Sequence, residues 1–274
     1  MLYYQGVFPD FDAQPVIAMV GTRKASAYGL LQAKRLGYEL GHYGAVVVSG
    51  GAAGIDTMAL RGAISSGTPP VAVFACGVDV DYPAANHSLF EDLRTHGCVI
   101  SEFPPGVLPL PEHFPVRNRI LSGLSLGSVV VEAPLKSGAL ITARHALEQG
   151  RDVFTLPGNL GNPTCEGNIQ LLKQGAILIA EGWDVLQEYT YLYPELPLRQ
   201  RAFGPMTLSP QEKKENLIVA ETSNNPEKTD TKTVDKQENR AYIDVQEILP
   251  RVSPDEAAVI RQLASGKQPV DRMI

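Results

Sequence analysis

The most informative segment of the sequence reads Ala45-Val46-Val47-Val48-Ser49-Gly50-Gly51-Ala52-Ala53-Gly54-Ile55-Asp56. Its first four residues are apolar without alternation, which is typical of a strand covered on both faces of a parallel sheet. Three glycines follow at the start of a helical pattern, and such a turn can present backbone N–H groups to an anion. The alternative is a tight turn whose glycines serve packing alone. Asp56 falls in the first helical turn, where capping is its expected role.

The same alternation of apolar runs and helical patterns covers the first 200 residues. Six further runs predict strands, namely Val16–Val20, Val71–Ala75, Cys98–Ile100, Ser128–Val131, Val153–Leu156 and Ile177–Ile179. Helical patterns lie at 28–41, 54–65, 86–95, 117–124, 138–149 and 166–174. Strands that alternate with helices predict βαβ units, and therefore an α/β domain with a mostly parallel sheet over residues 16–200.

Beyond residue 200, the amino-acid composition distinguishes two segments. Residues 201–242 contain the charge-rich run 211–240, which has no aromatic residue and cannot bury enough apolar area to offset chain entropy, so we predict a flexible linker. Residues 243–274 regain a helical start at Ser253-Pro254-Asp255-Glu256, with serine at the cap and proline in the first turn. This short segment predicts an incomplete accessory domain.

The charge balance narrows the possible partners. The 24 basic and 30 acidic residues give a net charge of −6, which excludes a uniformly basic nucleic-acid-binding surface and requires any anion site to be local. The three cysteines form no CxxC pair and the five histidines show no metal-ligand spacing, so we expect a reducing compartment and no metal. A membrane-length apolar run and a signal peptide are both lacking, which favours a cytoplasmic protein.

Ligands of open α/β sheets bind beyond the carboxyl ends of the strands, so the segments that follow the strands carry the functional prediction. These segments combine glycine, hydroxyl and cationic residues, a mixture that suits a phosphate-bearing ligand. The candidate residues are Gly21, Thr22, Arg23 and Lys24; Ser49, Gly50, Gly51 and Gly54; Phe114, Arg117, Asn118 and Arg119; and Lys136, Ser137 and Gly138.

Each segment also has a plainer interpretation. Asp79 and Asp81 could form a metal or acid–base pair, but turn and capping roles are favoured because the chain offers no third ligand nearby. One of the two arginines at 117 and 119 could pair with Glu102 or Glu132 instead of a ligand. No GxSxG, HExxH or Ser/His/Asp set is present, so the sequence indicates no catalytic residues.

The sequence resembles the DNA-processing protein DprA (Smf) family. The resemblance covers roughly residues 1–190 in order and spacing. It is carried by Val20-Gly21-Thr22-Arg23, Ser49 to Asp56, Gly77-Val78-Asp79, Tyr82-Pro83 with Asn86, Ser101-Glu102-Phe103-Pro104, Phe114 to Ile120, Glu132-Ala133 with Lys136-Ser137-Gly138, and Glu148-Gln149-Gly150-Arg151 leading to Pro157-Gly158.

The resemblance implies an extended Rossmann-like domain, without a cofactor or catalysis, that binds single-stranded DNA and loads RecA recombinase onto it in natural transformation. By motif position, Arg23 matches a phosphate-binding arginine and Phe114 an aromatic residue that approaches bases. Arg117, Arg119 and Lys136 are expected in the same basic pocket. A homodimer is implied, with its interface at Gln170, Leu171, Ile177 and Ile179; the alternative for each of these is the core of the domain.

Three departures from the family pattern stand out. The lysine that members often carry before the Phe-Pro pair is absent from Pro111-Glu112-His113. Residues 1–15 are interpreted as the junction remnant of an N-terminal helical domain, and residues 243–274 as part of a winged helix.

The sequence is also compatible with two other functions. One is a Rossmann-like nucleotide-processing enzyme of the nucleoside-monophosphate phosphoribohydrolase type, although Pro157-Gly158-Asn159 does not supply the Pro-Gly-Gly-x-Gly-Thr run of such enzymes. The other is a module that recruits the recombinase without binding DNA. No short motif locates a recombinase surface.

Overall fold

Eight strands form one sheet in the computed structural model. They are β1 (Tyr3–Gly6), β2 (Val16–Val20), β3 (Val46–Ser49), β4 (Val71–Phe74), β5 (Cys98–Ser101), β6 (Gly127–Val130), β7 (Asp152–Thr155) and β8 (Ile177–Leu178). The structure describes residues 1–203, so the interpretations of the linker beyond that point and of residues 243–274 lie outside the described residues.

Eight α-helices accompany the strands in the described part of the chain. They are α1 (Ala27–His42), α2 (Ile55–Ser66), α3 (His87–His96), α4 (His113–Leu124), α5 (Gly138–Glu148), α6 (Glu166–Lys173), α7 (Gly182–Leu186) and α8 (Leu196–Phe203). Among residues 1–203, no helix is both long and apolar enough to cross a membrane.

The sheet has the order β1-β5-β4-β3-β2-β6-β7-β8, and only β1 runs antiparallel to its neighbour. From β2 the chain moves outward through β3, β4 and β5, and then returns to place β6 on the other side of β2. Such a reversal is a topological switch point, and the loops that leave its two strands diverge to open a crevice. The predicted Rossmann-like α/β fold is confirmed.

Helices cover both faces of the sheet, which explains the continuous apolar runs. Ile17 and Met19 of β2 pack in the cluster that contains Leu36 and Leu40 of α1. Their neighbours on the same strand pack on the opposite face with α4, α5 and α6. A strand buried on both faces needs apolar residues at every position.

The seven predicted strands are confirmed, and the predicted helices lie within a few residues of those observed. The pattern does not predict β1, α7 or α8; β1 is a partly exposed edge strand without a continuous apolar run, and α7 has only five residues. β1 lies at the sheet edge, where Tyr3 and Gln5 are partly buried and their neighbours exposed. Residues within the predicted junction segment 1–15 thus extend the sheet.

Candidate nucleic-acid interface

A crevice of about 480 Å³ opens at the carboxyl ends of β2 and β6, and we call it the switch-point crevice. Three segments line it together with Ala52 from the glycine loop and Asp56 from the first turn of α2. They are Val20 to Lys24, the α4 residues Phe114, Arg117, Asn118 and Leu121, and the residues Pro134, Lys136 to Ala139 and Thr142. The structure therefore brings together residues that are more than 100 positions apart in the sequence, as the sheet topology requires.

The loop after β2 is held by hydrogen bonds from its backbone amides, and its two cations are exposed. The Thr22 amide donates to the Glu132 carbonyl at 2.7 Å, and Thr22 Oγ1 accepts from the Lys24 amide at 3.2 Å. Arg23 and Lys24 are exposed. Within residues 1–200 neither forms an ion pair, so both positive charges are available to an anion.

Glu132 fixes this loop from the other side of the switch point. Its side chain is buried, and Oε2 accepts from the Ser26 amide at 2.9 Å and from Ser26 Oγ at 3.1 Å. Ser26 in turn caps α1 by accepting from the Gly29 amide at 3.0 Å. The suggested pairing of Glu132 with an arginine is not found among the described residues, and its carboxylate instead locks the β2 loop to β6.

Arg117 is buried beneath the glycine loop, with 4% of its surface exposed. Its guanidinium donates to the Gly50 carbonyl at 2.7 Å and to the Val73 carbonyl. The Asp56 carboxylate lies on the same side of Gly50 as the guanidinium, since a Cβ at Gly50 would lie 2.6 Å from both Arg117 Nη2 and Asp56 Oδ2. Arg117 thus reaches the crevice, but its contacts hold the Gly50 loop in place.

Two buried charged groups, the Arg117 guanidinium and the Asp56 carboxylate, lie against Gly50, and we call them the clamp on the Gly50 loop. Burial raises the pKa of Asp56 to about 6, although the nearby Arg117 opposes the shift. Burial likewise lowers the pKa of Arg117 to about 10. Both shifts reflect desolvation, and the mutual attraction of the two groups only partly offsets it.

Arg119 lies outside the switch-point crevice, so the expectation that it shares a pocket with Arg117 and Lys136 is wrong. Its Nη2 pairs with Glu102 Oε2 at 2.5 Å, as one alternative foresaw, beside a separate cavity that Leu2 and Gln149 also line. The reason is helical geometry. Both arginines belong to α4, and residues two apart on a helix do not face the same side.

An aromatic wall closes one end of the crevice. The Phe114 ring lies 5.7 Å from the Tyr82 ring, and Arg23 Cζ lies 5.1 Å from the Phe114 centroid. Next to them is a small cavity of about 70 Å³, the aromatic pocket, lined mostly by Phe74, Ala75, Cys76, Tyr82, Pro83 and Phe114. The flat faces of nucleobases stack on aromatic side chains of this kind. Tyr82 was part of a family motif but not of the predicted site.

The third segment of the crevice contains Lys136, Ser137 and Gly138. Ser137 caps α5, since its Oγ accepts from the Ala139 amide at 3.2 Å. Lys136 is exposed and, within residues 1–200, forms no ion pair. Asn118 Nδ2 donates to the Gly138 carbonyl at 3.4 Å and so links this segment to α4.

Asn168 supports that segment from below, and sequence reasoning missed it. The side chain is 1% exposed and accepts from the Ala133 amide at 2.8 Å. It donates to the Val131 carbonyl and to Thr155 Oγ1, both at 2.9 Å. It therefore binds the carboxyl ends of β6 and β7 together. A single asparagine in a helical pattern carries no motif that could have revealed this role.

Asp79 and Asp81 have structural partners. Asp79 Oδ1 accepts from the Gly106 amide at 2.8 Å. Asp81 pairs with Arg94 at 2.6 Å and with His87 at 2.5 Å, and these contacts lower its pKa against the effect of burial. Asp81, His87 and Glu91 are close enough to hold a cation, but Arg94 also pairs with Glu91 at 2.7 Å and supplies positive charge there.

The predicted dimer residues divide into two groups. Leu171 and Ile179 are 6% and 0% exposed and belong to the core, as the alternative interpretation stated. Gln170 is exposed and Ile177 is partly buried. Leu178, which was not selected, is 56% exposed on the strand that ends the sheet.

The structure thus has a Rossmann-like sheet with exposed cations and an aromatic wall at its switch point, an arrangement typical of domains that accept a phosphate-bearing ligand. The family model for DNA recombination-mediator protein A matches residues 1–190, and the chain belongs to that family.

Relatives and solved structures agree with this assignment. The chain is 41% identical over 191 residues to the DNA processing protein DprA of Streptococcus pneumoniae, a match that covers 70% of this chain and 67% of that protein. It is 44% identical over 172 residues to Bacillus subtilis DprA, covering 63% of this chain and 58% of the relative. The chain thus spans roughly six to seven tenths of these two curated relatives.

A solved structure of Helicobacter pylori DNA processing protein A, described by its single-stranded DNA binding mode, is 31% identical. It superposes with a TM-score of 0.63 over 70% of this chain and 87% of that one.

Proposed function

We propose that this chain is a cytoplasmic, non-catalytic protein that binds single-stranded DNA in the switch-point crevice. The observation that carries the proposal is a set of exposed cations around one crevice, Arg23, Lys24 and Lys136, which form no ion pair within residues 1–200 and lie beside the aromatic wall of Phe114 and Tyr82. Cations that follow a backbone and an aromatic surface for bases are the two elements of single-strand recognition. The DNA-binding Helicobacter pylori relative supports the same assignment.

The net charge of −6 is compatible with this function because the field in a crevice is local. Of the carboxylates near the crevice, Asp56 lies close to the Arg117 guanidinium, and Glu132 is buried and accepts hydrogen bonds from Ser26. Arg23, Lys24 and Lys136 therefore dominate the potential where a strand would lie. The acidic remainder of the surface would oppose nonspecific binding elsewhere.

Replacing Arg23 or Lys136 by glutamine is expected to weaken binding of a labelled thymidine oligomer about tenfold or more, since each change removes one charged hydrogen bond to phosphate. The slope of log affinity against log salt should fall by about 0.7 for each cation removed. Fluorescence anisotropy across a salt series measures both quantities. Arg23→Gln should have the larger effect, because Arg23 also lies over the Phe114 ring.

Lys34→Gln is the matched control, because Lys34 is exposed on α1 and lines none of the cavities described above. An equal loss of affinity in the control, or unchanged binding by Arg23→Gln and Lys136→Gln, would contradict the assignment of the crevice.

We further propose that the chain loads RecA recombinase onto the bound strand in natural transformation, as the family resemblance implies. A DNA strand whose phosphates are held at the carboxyl ends of β2 and β6 leaves its opposite side accessible to a recombinase. The same variants test this step through strand exchange on DNA coated with single-strand-binding protein. If Arg23→Gln stimulated exchange as well as the unchanged chain does, loading would not depend on the crevice.

A homodimer through the β8 edge completes the proposal. Within the described residues β8 ends the sheet and exposes Leu178, and Gln170 on the preceding helix α6 is exposed as well. Leu178→Lys is expected to shift the chain from dimer to monomer in analytical ultracentrifugation, because a lysine there charges an apolar edge strand. Leu147→Lys is the control, since Leu147 is also 56% exposed but lies on α5. A monomeric unchanged chain, or equal effects of both variants, would refute this interface.

A further inference from the structure

A shallow cavity of about 350 Å³ lies beside the switch-point crevice, and we call it the α5 cavity. It is lined by residues 135–138, Leu140, Ile141 and Arg144. We propose that the α5 cavity is a second contact site for the same single strand, in which Arg144 binds a phosphate beyond those held in the crevice. The inference rests on the proposed function and extends its binding surface.

Shared residues make the three cavities one continuous path. The aromatic pocket and the switch-point crevice have Arg23, Ala52 and Phe114 in common. The crevice and the α5 cavity have residues 136–138 in common. A strand whose bases stack at Phe114 and whose backbone passes Lys136 therefore leads directly into the α5 cavity.

The helix geometry places Arg144 at a useful distance along this path. Ser137, Leu140, Ile141 and Arg144 have the spacing i, i+3, i+4 and i+7, so they lie on one face of α5. At 1.5 Å per residue, Arg144 lies about 10 Å along the helix from Ser137. One strand of a stacked helix carries a phosphate about every 3.4 Å along the helix axis, so a separation of about 10 Å reaches at least one phosphate past Lys136.

Arg144 is able to exchange its present partner for a phosphate. Its side chain is 68% exposed, and its ion pair with Glu148, itself 60% exposed, is long at 3.6 Å. Exposed pairs of this kind contribute little, and Glu148 has a second partner in His145 at 3.2 Å. The Leu135 side chain, 52% exposed, offers an apolar contact for sugars or bases next to the two cations.

Oligomer length tests the proposal. Thymidine oligomers of about 4 and about 16 nucleotides bracket the site sizes of single-strand binders. For the longer oligomer, Arg144→Gln is expected to lower affinity several-fold and to reduce the salt slope by about 0.7. For the shorter one, which the crevice alone accommodates, the variant should bind like the unchanged chain. Arg144→Lys keeps the charge and should keep the slope.

Arg61→Gln is the matched control, because it removes the same charge from α2, away from the three cavities. The proposal is overturned if Arg144→Gln leaves the longer oligomer unaffected, weakens both lengths equally, or matches Arg61→Gln. Failure of the unchanged chain to bind either oligomer would instead overturn the proposed function. Unchanged thermal unfolding of Arg144→Gln is expected, since the side chain is mostly exposed, and it separates lost contact from lost folding.

Discussion

Replacing Arg117 by methionine is expected to lower the free energy of unfolding by about 3–5 kcal/mol, the usual cost of removing one member of a buried charged pair. The change leaves the Asp56 carboxylate buried without the guanidinium that lies close to it at Gly50. It also takes a donor from the Gly50 and Val73 carbonyls. Denaturant titration followed by circular dichroism measures the loss.

Arg119→Met provides the control on the same helix. Arg119 is exposed and its pair with Glu102 is at the surface, so its replacement should change the free energy of unfolding by less than about 1 kcal/mol. If Arg117→Met folded as stably as Arg119→Met and lost only DNA affinity, Arg117 would be a direct ligand and the clamp on the Gly50 loop would be unimportant.

Gly54→Ala is expected to cost roughly 2–4 kcal/mol and to weaken DNA binding as well. Gly54 has φ +85° and ψ −124°, a conformation that is essentially restricted to glycine and costs other residues on the order of 1–3 kcal/mol. A Cβ there would lie 2.5 Å from the Thr22 carbonyl and 2.8 Å from the Arg23 carbonyl. Relief of these contacts must move the loop that carries Arg23.

The other end of the same helix supplies the comparison. Gly67 also has φ +85°, but its ψ is −4° and a Cβ would meet nothing within 4 Å. Gly67→Ala should cost about 1–2 kcal/mol, the penalty of the left-handed conformation, and leave oligomer affinity unchanged. Thermal unfolding and anisotropy on both variants separate the two effects. Equal affinities would mean that Gly54 does not set the position of Arg23.

The fold could be predicted in detail because its central strands are buried on both faces. Val46–Ser49 and Val71–Phe74 are uniformly buried, and uniform burial leaves an uninterrupted apolar run in the sequence. β1 could not be found in this way, because it is a partly exposed edge strand whose partner β5 lies almost 100 residues away. The pairing of β1 with β5 forms only in the folded domain, so no pattern in the local sequence indicates it.

The site could be predicted only at the level of its loops. Arg23 and Arg117 both follow strands near glycines or aromatic residues, and nothing local distinguishes an exposed cation from a buried one. The structure separates them, since Arg23 is exposed at the rim of the crevice while Arg117 is enclosed. Glu132 and Asn168 act entirely through long-range hydrogen bonds, so their roles depend on contacts that a sequence does not display.

The return of the chain to place β6 beside β2 has a consequence for thermodynamics. Arg23 and Lys136 belong to the loops that follow β2 and β6 on opposite sides of the switch point, and the crevice does not exist until both halves of the sheet have formed. Nucleic acid would then bind the complete domain and neither half, so occupancy would draw the folding equilibrium toward the native state. Because the strand order places the two sides of the crevice in different halves of the sheet, DNA binding would stabilise both halves together.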